Sequence, residues 1–165
     1  PADYPGRPSV KENIQEKDPV KFAVQAATLK AQAVGQIFPH ALVIGADTIV
    51  VLHNTIFGKP KDYLDAKNML LTLSGTTHQV ITGLAIHKKD ENKLLCDYEK
   101  TLVTIKKLKE ETIEEYLAQD TFMDKAGSYA VQDIKDPFIE KIDGEYENVV
   151  GLPLQKLSEM LAKIK

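Results

Sequence analysis

The 165-residue sequence predicts an α/β fold in which a mixed, largely antiparallel twisted sheet is flanked by helices. Two runs rich in β-branched residues, 78–89 and 93–108, are separated by a short polar stretch, which predicts an antiparallel strand pair. Apolar residues recur at three- and four-residue steps between Val20 and Val34, which predicts a helix. Hairpin signals outnumber β-α-β crossovers, so we expect antiparallel pairing to dominate the sheet.

The first helix and the strand after it have recognisable boundaries. Asp18 is a typical N-cap and Pro19 suits the first helical position, while Gly35 is expected to end the helix. The segment ALVIGADTIVVLH, residues 41–53, is predicted to form two strand segments that break near Gly45. The letters HNT that follow it suggest the turn of a hairpin.

Two further helices are predicted in the middle of the chain. One runs from about Asp62 to Ser74, and Gly75 follows it as a stop. The other is indicated by the capping-box pattern of Thr112 and Glu115.

The last third of the sequence predicts two short strands and a final helix. The strand candidates are GSYAVQ and PFIEKIDGEY. Pro153 opens the helix, and the residues that we expect to face inward are Leu154, Leu157, Leu161 and Ile164.

Charge and cysteine content restrict the classes of function. A net charge of -3 gives no overall attraction to nucleic acid or to an anionic membrane. The single cysteine, Cys96, cannot form an internal disulfide, which favours a reducing compartment. No apolar run approaches the roughly 20 residues that a bilayer span needs, and no signal-peptide pattern opens the chain. We therefore expect a cytoplasmic protein that binds neither nucleic acid nor membranes.

Asp47 is the first candidate for chemistry. It follows two small residues within an otherwise apolar strand, where a charged ligand could approach the backbone. A carboxylate at this place can bind a hard cation or take a proton from water. The other interpretation is a turn aspartate that bonds to its own backbone.

Two lysines are candidates for binding an anion. Lys59 lies between a glycine and a proline, and the proline favours extended geometry that would aim the ammonium in a set direction. Lys30 flanks the apolar stripe of the first helix, where neighbouring alanines leave space for it to reach a ligand. The alternatives are an ordinary loop lysine and a lysine that extends to solvent.

Four other polar residues have weaker signals. Glu12 is a single carboxylate in a polar segment, and the amide of Gln132 could contact a base edge or pair within the fold. Asp124 and Lys125 could be ligands or a simple ion pair. The scattered histidines show no metal-ligand spacing, and the usual phosphate-loop and dinucleotide motifs do not occur.

Five motifs in order carry a family resemblance. They are GADTIVV, GKPKD, AKNMLLTLSGTTHQVITGLAI, MDKAGSYAVQ and ENVVGLPL. Together they resemble the Maf family of nucleoside triphosphate pyrophosphatases, over nearly everything from Pro8 to the C-terminus. The resemblance implies a two-lobed α/β fold of the inosine triphosphatase type, commonly dimeric. It also implies hydrolysis of nucleoside triphosphates at the α-β phosphoanhydride bond with a divalent cation, Mg²⁺ or Mn²⁺.

The resemblance assigns roles to particular residues. Asp47 resembles the family's proton acceptor and a metal ligand, and Glu12 resembles its acidic residue after a Pro-Ser pair, a second metal ligand. Lys30 and Lys59 resemble its phosphate-binding lysines.

Base selection is implied in the same way. Thr48 and Gln132 match positions associated with choosing the base. The ADT form of the strand motif resembles the branch that prefers dTTP and UTP, which implies a role in clearing pyrimidine triphosphates from the nucleotide pool.

The N-terminal part departs from the family pattern. Family members begin with a strand and a loop reading roughly Ser-Pro-Arg-Arg, whereas the first seven residues here are PADYPGR, with Arg7 as the one arginine of the sequence. Either such a segment precedes this sequence or this form, a single Maf-like domain over residues 1–165, lacks it. The alternatives to an active enzyme are a catalytically impaired nucleotide-binding or regulatory protein and a structural interaction domain.

Overall fold

The computed structural model describes residues 14–119, 121–131 and 138–164. Its strands are β1 Leu42–Leu52, β2 Thr55–Phe57, β3 Thr77–Lys88, β4 Lys93–Ile105 and β5 Ile139–Asp143. Its helices are α1 Pro19–Ile37, α2 Tyr63–Leu73, α3 Glu110–Leu117, α4 Tyr146–Val150 and α5 Leu154–Lys163. The strands form one sheet in the order β2-β1-β3-β4-β5, and every neighbouring pair is antiparallel. The predicted α/β class, with a largely antiparallel sheet and flanking helices, is confirmed.

Helix α1 packs closely on one face of β1 and β3. Apart from Pro19 at its start, its buried residues are small, namely Ala23, Ala26, Ala27, Ala31 and Gly35. A Cβ atom built on Gly45 of β1 would overlap the carbonyl oxygen of Ala27, and one built on Gly83 of β3 would overlap the carbonyl of Ala23. The predicted strand break at Gly45 is therefore wrong, because this glycine stays in the ladder opposite Ala85 and makes room for the helix backbone.

The two ends of α1 illustrate which sequence signals hold. The side chain of Asp18 accepts a hydrogen bond from the backbone N–H of Lys21, which confirms the predicted N-cap, and Pro19 begins the helix. Gly35 does not end the helix, which continues to Ile37. Its role is steric, since a Cβ atom there would overlap the ring of His87.

The opposite face of the sheet carries the larger core. It is built mainly from the apolar sides of β1, β3, β4, α2 and α3, with buried members that include Val50, Leu70, Leu73, Val103, Ile113 and Phe138. Helix α5 covers another part of this face, where Leu157 and Met160 pack on Leu84 and Ile86. The predicted inner face of α5 is partly wrong, because Leu154 and Leu161 are 52% and 39% exposed and Met160 is buried instead.

The local signals for the β1–β2 turn and for α2 are confirmed. His53 and Asn54 adopt positive φ in the two-residue turn between β1 and β2. Asp62 caps α2 by accepting a hydrogen bond from the N–H of Asp65, and Gly75 follows the helix with φ of 70°. The predicted β3–β4 pair is also present, joined at the Lys88–Lys93 register.

Three predictions in the second half are corrected. Thr112 is not an N-cap, because α3 already begins at Glu110, whose carboxylate pairs with Lys67 of α2. The described part of GSYAVQ, residues 127–131, begins within one turn of 3₁₀ helix, Ala126–Ser128, and continues as irregular chain rather than a strand. Helix α4 was not expected from the sequence. No helix within the described ranges has the length and apolar character needed to cross a membrane.

Candidate active site

The clearest pair of functional candidates is Lys30 with Asp47. Asp47 lies in β1 on the face covered by α1 and is only 3% exposed. The Nζ of Lys30 donates to Oδ1 of Asp47 at 2.7 Å and to the carbonyl oxygen of Ala46 at 3.2 Å. The side chain of Lys30 is 43% exposed, so a buried carboxylate is held by an ammonium that solvent can reach.

Local packing explains why these two residues meet. The residue opposite Asp47 in the ladder is Gly83, and without a side chain there the backbone of α1 at Ala23 packs directly on the sheet. Lys30 follows Ala26 by one helical turn and therefore lies over the same part of the sheet. Small residues at the helix–sheet contact thus bring α1 close enough for the side chain of Lys30 to reach Asp47.

A second charged group forms where the chain leaves β2. The carbonyl oxygen of Gly58 accepts a hydrogen bond of 3.0 Å from the N–H of Gly127, which ties the GKP segment to the DKAG segment. Lys125 donates to Asp124 at 2.8 Å and, with a smaller contribution from the nearby charge of Lys59, lowers the pKa of the Asp124 carboxyl. The structure therefore brings Lys59, Asp124 and Lys125 together.

The two groups lie near the same edge of the sheet. Phe57, the last residue of β2, is opposite Val50 of β1, so the chain leaves the sheet three residues along β1 from Asp47. Gly127 packs on Val50, on the face opposite α1. Lys30 with Asp47 thus occupies the α1 side of this edge, and Asp124 with Lys125 lies towards the other side.

Thr48 points away from Asp47, because successive residues of a strand alternate between the two faces. Its Oγ1 lies 2.9 Å from Oγ1 of Thr82 and 3.5 Å from the carbonyl oxygen of Gly151. Thr82 donates in turn to the backbone of Asn148 in α4. Sequence reasoning missed Thr82 and Asn148 as members of the site, although Asn148 lies in the ENVVGLPL motif.

Comparisons with known proteins identify the family of this chain. The family described as Maf-like protein matches residues 5–164. This chain belongs to that family. It is 45% identical over 153 residues to a dTTP/UTP pyrophosphatase of Thermosipho africanus, a match that covers 93% of this chain and 78% of the relative.

Two further relatives are also named dTTP/UTP pyrophosphatase. A dTTP/UTP pyrophosphatase of Alkaliphilus metalliredigens is 47% identical over 156 residues, covering 93% of this chain and 81% of the relative. One of Caldanaerobacter subterraneus subsp. tengcongensis is 44% identical over 155 residues, covering 93% and 75% respectively. The predicted family is therefore confirmed.

Two of the predicted site residues of this Maf-like protein, Glu12 and Gln132, lie outside the described residues. Within the described ranges no three His, Cys, Asp or Glu side chains are grouped closely enough to hold a metal ion by themselves. Asp47 nevertheless supplies the hard oxygen donors that Mg²⁺ and Mn²⁺ prefer. Asp47 can therefore contribute a carboxylate to a metal ion that other ligands also hold. The ammonium of Lys30 lies beside it and can bind a phosphate group.

Proposed function

We propose that this protein is a metal-dependent nucleoside triphosphate pyrophosphatase that converts dTTP, UTP or modified pyrimidine triphosphates to the monophosphate and pyrophosphate. The observation that carries the proposal is the contact between Lys30 and Asp47, a buried carboxylate beside a partly exposed ammonium. The activity named for the relatives supports the same reaction.

Asp47 is proposed as the proton acceptor. A water oxygen attacks the α-phosphorus, the bond from this phosphorus to the α-β bridging oxygen breaks, and pyrophosphate leaves. The carboxylate of Asp47 takes the proton that the attacking water loses, so no side chain forms a covalent intermediate. Burial of Asp47 keeps its carboxylate away from bulk water.

Lys30 and Lys59 are proposed to bind the triphosphate. An ammonium has three N–H donors. Two of those of Lys30 are used at Oδ1 of Asp47 and at the carbonyl oxygen of Ala46, which leaves the third for a phosphate oxygen. Lys59 is exposed and can approach the same negative charge. Asp124 and Lys125 lie beside Lys59 and are proposed to set its position.

A divalent cation fits the chemistry of these donors. Mg²⁺ in phosphate-handling sites commonly takes one or two carboxylates together with phosphate oxygens and water. Asp47 and Glu12 are the carboxylates proposed to hold it. When bound, the cation neutralises phosphate charge and polarises the phosphoryl group.

Base selection is proposed for Thr48 and Gln132. The hydroxyl of Thr48 is half-buried and already oriented by Thr82, so it can contact a base at the cost of little side-chain entropy. A cytoplasmic homodimer is expected from the family resemblance, and sedimentation of the purified protein tests the dimer.

The function is tested by pyrophosphate release. The protein is incubated with Mg²⁺ and a panel of dTTP, UTP, CTP and purine triphosphates, with and without EDTA. We expect release from dTTP and UTP that EDTA abolishes and added Mg²⁺ restores. Tight nucleotide binding without product would instead identify a catalytically impaired binding protein, and no thermal shift with any triphosphate would exclude both.

A further inference from the structure

A chain of buried hydrogen bonds fixes helix α4 to the sheet, on the face away from α1. Asn148 of α4 is fully buried, and its Nδ2 donates to the carbonyl oxygen of Val80 at 3.1 Å and to Oγ1 of Thr101 at 3.0 Å. Thr101 Oγ1 donates in turn to the carbonyl oxygen of Glu145 at 2.9 Å. These bonds set the position of the α4 backbone relative to β3 and β4.

The α4 backbone also accepts a hydrogen bond from a second buried hydroxyl. Oγ1 of Thr82, which is also fully buried, donates to the carbonyl oxygen of Asn148 at 3.2 Å and lies 2.9 Å from Oγ1 of Thr48. A hydroxyl has one proton to donate. With the proton of Thr82 directed to Asn148, the contact between the two threonines requires Thr48 to donate to Thr82.

The other possible arrangement has poorer geometry. If Thr82 donated to Thr48 instead, the hydrogen bond from Thr82 to Asn148 would be lost and the proton of Thr48 would have only the carbonyl oxygen of Gly151, 3.5 Å away. In the favoured arrangement Thr48 donates into the protein and offers only lone pairs to its surroundings. Because Thr48 is half-buried, a ligand can reach those lone pairs.

We propose that Thr82 is a positioning residue for base selection, which holds the hydroxyl of Thr48 as a hydrogen-bond acceptor for the N3–H of uracil or thymine. This rests on the proposed function, in which Thr48 contacts the base. Cytosine carries a lone pair at N3, so two acceptors would face each other and binding would be disfavoured. Asp47 and Thr48 point to opposite faces, so the proposed proton acceptor and the proposed base contact lie on different faces of β1.

The test changes Thr82 and leaves Thr48 in place. Thr82→Val removes the acceptor at 2.9 Å, and the carbonyl oxygen of Gly151 at 3.5 Å is too far away to hold the proton of Thr48 firmly. The hydroxyl of Thr48 can then also donate outward, so the ratio of kcat/KM for UTP to that for CTP falls about tenfold, the size of one neutral hydrogen bond. The change appears in KM more than in kcat. Thr82→Ser restores the hydroxyl and with it the ratio.

A matched control is available on the same strands. Thr77 and Thr104 form an exposed hydroxyl pair at 2.8 Å between β3 and β4, and Thr77→Val removes that pair without changing the UTP to CTP ratio. A substrate analogue gives a second readout, because N3-methyl-UTP lacks the N3–H donor. The wild type should have a lower kcat/KM for N3-methyl-UTP than for UTP, and this difference should shrink in Thr82→Val.

Several results would overturn the proposal. These are an unchanged ratio in folded Thr82→Val, no recovery in Thr82→Ser, or a wild-type protein that prefers CTP to UTP. If the wild type released no pyrophosphate, the proposed function would fail separately. The Kd values of non-hydrolysable UTP and CTP analogues would then give the same ratio, and equal values or no binding would reject the role of Thr82.

Discussion

The ammonium of Lys30 lies 2.7 Å from Oδ1 of Asp47, although these residues belong to different elements and are 17 positions apart in the sequence. The carboxylate is buried, whereas the lysine is partly exposed. A negative charge inside the fold is thus balanced by a group that a ligand can contact from outside. Binding of phosphate at Lys30 is expected to change the electrostatic surroundings of Asp47 directly.

Replacing Asp47 by asparagine is expected to reduce kcat for UTP by at least about 100-fold, because an amide of the same shape cannot take a proton from water. The measurement is pyrophosphate release at saturating UTP and Mg²⁺. Asp97→Asn is the control, since this carboxylate lies on β4 with its nearest cation, Lys156, 3.8 Å away. Equal rates in wild type and Asp47→Asn would remove Asp47 from the proposed role.

Replacing Lys30 by methionine is expected to lower the free energy of unfolding by about 1–3 kcal/mol, because the carboxylate of Asp47 loses its strongest described donor. Urea unfolding measures this effect. Lys21→Met changes an exposed lysine of the same helix and should stay within about 0.5 kcal/mol. The loss should shrink when Asp47→Asn is already present, and an additive double variant would contradict the coupling.

Replacing Gly83 by alanine is expected to destabilise the protein by about 1–3 kcal/mol, because the new Cβ atom overlaps the backbone of α1 at Ala23. For a chain of this size each kcal/mol lowers Tm by about 2–4 °C. Gly58→Ala is the matched control, since no atom lies within 4 Å of its added Cβ. Similar melting curves for the two variants would show that the helix can move away.

Replacing Lys59 by methionine is expected to raise KM for UTP about tenfold with a smaller change in kcat, because a contact to ground-state phosphate is lost. Lys61→Met changes another exposed lysine two residues further on and should leave KM unchanged. Steady-state kinetics at fixed Mg²⁺ separate the two parameters. An equal effect of both variants would indicate general electrostatic attraction rather than a specific contact.

Stability is expected to fall in mild acid because of His78. Burial lowers the pKa of His78 to about 4 from the usual 6.5, and its Nε2 lies 2.6 Å from the hydroxyl of Tyr129. Below pH 6.5 the unfolded chain takes up a proton that the folded state refuses until about pH 4. The contribution of His78 to the free energy of unfolding is therefore fully present above pH 6.5, and about 3 kcal/mol of it is lost between pH 6.5 and 4.

Urea unfolding at pH 7.5 and pH 5.0 measures this dependence. His78→Gln should flatten it, because the amide does not titrate. His40→Gln changes a histidine whose side chain is 89% exposed and should leave the slope as in the wild type. A slope that persists in His78→Gln would assign the acid sensitivity to other groups.

Several predictions that depended only on neighbouring residues in the sequence were confirmed. Asp18 caps α1, His53 and Asn54 form the two-residue turn, and Asp62 caps α2. Each of these features is decided within about four residues, by backbone geometry and the first hydrogen bonds of a helix. The same holds for the β3–β4 pair, whose strands and turn follow one another directly.

Predictions that treated glycine or threonine by its average behaviour were wrong. Gly45 was expected to break a strand and Gly35 to end a helix, but both are glycines because another element packs against them. Thr112 fits a capping pattern, yet α3 starts at Glu110, where an ion pair with Lys67 of another helix is formed. Contacts distant in sequence decided the two glycine positions.

The sequence by itself determined most of the element types, the family and the charged residues that are candidates for chemistry. Only the tertiary structure decided that Lys30 covers Asp47, and that the hydroxyl of Thr48 belongs to a buried chain through Thr82 to Asn148. The physical reason is that adjacent strand residues face opposite sides of a sheet, so their partners depend on strand register and on which helix covers each face.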